Sequence, residues 1–147
     1  LTHQLSHATR EPDGFKNFGT YCRFINDELG RLASRLKATP EPGGEGSMLD
    51  NTALFFGSAS SAFHLSRNYP LLLFGGKNMG FKHGHYLKHG EGNDKNQATS
   101  GISNDSGWRA EMRYTELPLS NLYLTMLHKL GVEANSFGGS TETLREV

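Results

Sequence analysis

Pro70-Leu71-Leu72-Leu73-Phe74 is the stretch on which the fold turns. Four consecutive large apolar residues leave no side for water, so the run reads as a strand covered on both faces, as in a parallel sheet. A second apolar run, Ala53 to Phe56, follows the turn residues Leu49-Asp50-Asn51-Thr52. After it come the small residues Gly57-Ser58-Ala59-Ser60-Ser61, which let a backbone turn sharply or approach a ligand. Toward the start of the chain, Phe15, Phe18, Tyr21, Phe24, Ile25, Leu29, Leu32 and Leu36 recur at three- and four-residue steps. That spacing predicts an amphipathic helix from about Gly14 to Leu36. Pro40, Pro42, Gly43, Gly44 and Gly46 then make a surface loop.

On the other side of the run, Gly75 to Gly80 reads as a turn. Phe81, His83, His85 and Leu87 alternate with Lys82, Gly84, Tyr86 and Lys88, which predicts a short strand carrying both histidines on one face. From Gly90 to about Glu116 the chain is polar, with Trp108 as its one large anchor. A stretch of that length reads as a lid, a binding loop or a disordered segment. Pro118 opens a last helix with the stripe Leu119, Leu122, Tyr123, Met126, Leu127 and Leu130, and Gly131 suits its C-terminal cap. Helix, strand, strand and helix in succession predict a layered α/β fold in a single domain.

Composition narrows the function. Fifteen Lys plus Arg balance fifteen Asp plus Glu, so the formal net charge is zero. That argues against broad attraction to nucleic acid or to an anionic membrane. No run approaches the roughly 20 apolar residues of a membrane span. Cys22 is the single cysteine, so an intrachain disulfide is ruled out, and its neighbours Tyr21, Phe24 and Ile25 predict a buried, inert thiol.

Chemistry concentrates in the histidines. His3-Gln4-Leu5-Ser6-His7 sets two imidazoles four residues apart, and His64 stands six residues before Pro70. Three imidazoles with an open fourth position suit a zinc-like cation. The residues alone leave two readings open: a shared metal, or two surface histidines and a satisfied loop histidine. Gln4 occupies the place where a zincin helix has its glutamate, which excludes that protease chemistry. Ser58, Ser60 and Ser61 lack a nucleophile-elbow pattern, and Gly75-Gly76-Lys77-Asn78-Met79-Gly80 fails the phosphate-loop pattern.

Taken in order, several segments resemble the C-terminal half of the HxxSHH family, bacterial proteins with an alkaline-phosphatase-like fold. They are His3 to His7; Leu49 to Thr52 running into Phe56-Gly57-Ser58; His64 to Leu73 with Gly75-Gly76; Lys82 to Leu87; and Pro118 to Leu122 through Gly131 to Gly138. Ala8 departs from the pattern, where the family has a second adjacent histidine. The resemblance implies a three-layered α/β/α sheet and kinship with metal-dependent phosphate and sulfate ester hydrolases. It implies that His3, His7 and His64 hold one divalent metal, zinc or manganese. His83 and His85 read either as a contact to a small anionic ester or an addition to the histidine cluster, or as part of a partly exposed strand of mixed character. The resemblance also places Ala59 and Ser60 where the superfamily has an Asp-His pair for a second metal, and the nucleophile upstream of Leu1. The chain is therefore expected to be the C-terminal part of a longer protein of the periplasm or cell envelope. A fragment with an open sheet edge is expected to form homo-oligomers. The alternative is a non-catalytic binding or structural domain that kept the scaffold and lost the centre.

Overall fold

The computed structural model describes residues 2–58, 70–88 and 117–147. They mix helices with a two-stranded sheet and divide into two compact units, Leu1–Asp50 and Asn51–Val147.

The first unit is helical. Helix α1 spans Thr2–His7, a single 3-10 turn covers Ala8–Arg10, and helix α2 runs over Gly14–Ala38. The predicted amphipathic helix is therefore present, extended by two residues at its C-terminal end. Three exposed ion pairs run along it: Lys16 with Asp13, Arg23 with Asp27, and Arg31 with Glu28. Such pairs contribute little individually. The corner before α2 depends on glycine. A Cβ at Gly14 would lie 1.7 Å from the carbonyl oxygen of Ala8, so any side chain there would dislodge the preceding turn. Asp13, with φ of 58°, makes the reversal that brings the two backbones together. After α2, Pro40 and Ser47 bridge a turn, and Asp50 Oδ2 accepts hydrogen bonds from the Ser47 amide and hydroxyl, both at 2.8 Å. Cys22 is half-buried on α2 rather than fully enclosed, because a residue on the outer surface of a two-helix corner has few neighbours.

The second unit contains strand β1 (Ala53–Gly57), strand β2 (Leu71–Gly75) and helix α3 (Ser120–Lys129). Both apolar runs are strands, as expected, but they pair antiparallel, with Ala53 opposite Gly75 and Phe55 opposite Leu73. The parallel expectation is thereby corrected. Nor is the run covered on both faces: Leu72 is 48% exposed, because only one face of the two-stranded sheet is packed. Ala53 and Leu73 pack toward Phe81, Leu144 and Val147, joined by Met79, Leu117, Leu122 and Met126. Phe55 meets the ring of Tyr123 edge-on at 5.8 Å, and Tyr123 meets Phe137 at 5.9 Å. One face of the sheet thus rests on α3 and the C-terminal segment.

Helix α3 ends as its sequence predicts. Gly131 takes a left-handed φ of 76°, its N–H bonds the His128 carbonyl, and the Val132 N–H bonds the Leu127 carbonyl. Asn121 within α3 is 0% exposed. Its Oδ1 accepts from the backbone N–H of Thr141 at 2.8 Å and of Glu142 at 3.4 Å, and its Nδ2 donates to Thr141 Oγ1 at 3.2 Å. One turn on, Thr125 Oγ1 donates to the Asn121 carbonyl and accepts from the Leu144 N–H at 2.8 Å. These bonds strap the C-terminal segment to the helix.

Residues 81–88 are not a strand, which corrects the expected alternation. Gly84 sits at φ of 83°, outside the extended region. The segment is instead pinned by the Lys82 ammonium on the Arg145 carbonyl at 2.6 Å and by the Lys82 N–H on the Val147 carbonyl. No helix among the described residues is long and apolar enough to cross a membrane.

Candidate metal centre

The i, i+4 spacing of His3 and His7 becomes a side-chain pair because α1 is helical across both. Their Nε2 atoms are 3.0 Å apart, and the rings meet edge-on with centroids 4.5 Å apart. Both side chains are exposed. Ser6 Oγ donates to the His3 carbonyl at 2.8 Å, and Thr9 Oγ1 donates to the Ser6 carbonyl at 3.3 Å, which ties down the end of the short helix. The helix is held on α2 by the corner at Gly14 and by Thr2 Oγ1 on the Tyr21 hydroxyl at 2.6 Å.

The separation decides what the pair can hold. Two imidazole nitrogens about 2.05 Å from one tetrahedral zinc lie about 3.3 Å apart, and about 2.9 Å apart at a right angle. The observed 3.0 Å falls between these values. The separation of the two nitrogens is of the size that a single small cation spans. His3 and His7 are two of the three histidines that the sequence singles out. His64, the third, lies outside the described residues, as do Ala59, Ser60, Ser61 and Trp108. Among the described residues no group of three or more His, Cys, Asp or Glu side chains gathers around a common point.

The histidines expected to meet substrate are placed differently from the prediction. His83 donates from Nε2 to the Gly75 carbonyl at 2.6 Å, which leaves Nδ1 as its remaining ring nitrogen for another partner. His85 is exposed on the far side of Gly84 in irregular chain. They do not share a strand face, because there is no strand to alternate along. His128 donates from Nε2 to the Ala134 carbonyl at 2.6 Å and serves the end of α3. Sequence reasoning missed the clasp of Asn121 on Thr141. The one signal for it was a polar amide inside the first turn of an apolar helix.

No family model matches the chain, and neither a curated protein nor a solved structure matches it.

Proposed function

We propose that the chain supplies a divalent-metal position to a hydrolase of phosphate or sulfate esters built on a layered α/β/α sheet. His3 and His7 hold the cation through Nε2, and His64 is the third ligand. The observation that carries the reading is the 3.0 Å separation of the His3 and His7 nitrogens, which matches the bite of a single zinc-like ion. The motif order of the sequence supports the ester chemistry. A bound cation there supplies Lewis acidity toward an ester oxygen. His3 and His7 offer ring nitrogens to it, and Ser6 and Thr9 hold the helix end on which they stand. His83 and His85 are the proposed contacts to the anionic ester, with His83 oriented by its bond to Gly75. The proposed location is the periplasm or cell envelope.

Elemental analysis of the purified chain tests the reading. Stoichiometric zinc or manganese is expected, lost in both His7→Ala and His64→Ala with helix content unchanged. Metal-free protein that neither takes up zinc nor manganese on dialysis would overturn it and leave a non-catalytic binding domain. Metal retained by His64→Ala would remove His64 from the ligand set.

A further inference from the structure

Helix α2 carries a second pattern that the metal position does not use. Phe15, Cys22, Leu29 and Leu36 recur at every seventh residue, with Phe18, Ile25 and Leu32 set three further on. That is an unbroken heptad seam, the arrangement by which one helix packs along another. None of its residues is buried, and Phe15 and Leu32 remain 62% and 46% exposed. The flank beside the seam is formed by Gly14, Tyr21, Glu28 and Arg35, again seven apart. Helix α1 and the turn after it lie against Gly14 and Tyr21, so another helix has room on that flank only from Glu28 onward.

We infer that the open half of this seam pairs antiparallel with α2 of a second copy of the chain. Charge selects both occupant and direction. With Leu29 set against Leu32 of the second copy, Ile25 meets Leu36, giving four apolar layers across a twofold axis. Glu28 then faces Arg35 of the second copy, and Arg35 faces its Glu28. A parallel pair in register gives neither residue an opposite charge, because the facing positions are Ala33 and Pro40. The second copy's α1 falls beyond the end of α2 at Ala38 and does not collide with it. The overlap is about 16 residues, or about 24 Å of helix. That is smaller than a standard interface, so association in the range of about 10–100 μM is expected.

Sedimentation equilibrium of the full chain from about 5 to 500 μM tests the pairing. A monomer–dimer equilibrium is expected, abolished in Leu32→Lys with helical circular dichroism preserved. Glu28→Arg is expected to weaken association about tenfold, and Glu28→Arg with Arg35→Glu to restore it. A monomer throughout, or a dimer indifferent to Leu32→Lys, would overturn the inference and assign the seam to another partner. Failure of the double substitution to restore association would overturn the antiparallel register.

Discussion

Replacing Asn121 by alanine removes an amide that is 0% exposed and makes bonds to Thr141 at 2.8 and 3.2 Å and a longer one to Glu142 at 3.4 Å. A typical intramolecular hydrogen bond contributes about 1 kcal/mol net, and a donor left buried costs about 1–3 kcal/mol. Thr141 and Glu142 are themselves exposed, so water can reach part of what the amide vacates. The long bond to Glu142 adds little. The loss is therefore about 2–3 kcal/mol, centred on the strap rather than on the whole chain. Native-state hydrogen exchange reads it where it acts. The Leu144 N–H donates to Thr125 Oγ1 and is released only when the C-terminal segment lifts from α3. Its exchange should accelerate about 30- to 150-fold in Asn121→Ala, since about 1.4 kcal/mol is a factor of ten. Thr125→Val should give a comparable acceleration, and the double variant less than the sum of the two, because both residues hold one segment. Acceleration below about threefold in Asn121→Ala would show that the strap is held by apolar contacts alone.

Two further outcomes follow from the packing. Gly14→Ala should free α1, because the Ala8 oxygen stands 1.7 Å from the new methyl group; amides of residues 5–7, which can bond within the helix, should lose exchange protection while those of residues 25–35 keep theirs. Phe81→Ala should cost about 3 kcal/mol in urea unfolding, as truncating a buried aromatic side chain usually does, since Phe81 is the centre of the apolar cluster with Leu144 and Val147; a change under about 1 kcal/mol would displace that cluster from its role.

The individual helices and strands were legible in the sequence, whereas the described sheet has two strands and shows no layered α/β/α arrangement, and the misreadings have physical causes. Helices α2 and α3 were visible because a 3.6-residue period leaves a trace in every turn, and because Gly131 marks where α3 must stop. The strands were visible as elements, but their direction was not. Strand direction is fixed by which backbone groups meet, and Phe55 opposite Leu73 is a relation that neither run records by itself. The segment 81–88 misled because alternation between His and Lys is weak evidence for a strand when both kinds of side chain can face water. At the candidate site, the His3–His7 pair was legible because four-residue spacing on a helix brings side chains together. The bond from His83 to Gly75 was not, since it depends on how a turn closes.

The corner at Gly14 binds the two imidazoles to the fate of a longer element. Six residues are too few to stay helical unaided, so α1 keeps its shape by leaning on α2. Reciprocity follows from thermodynamics: if the rings take the proposed cation, it must tighten the corner by the same free energy that an already tight corner lends to capture. Under that proposal, loading and local order would be one equilibrium observed from its two ends.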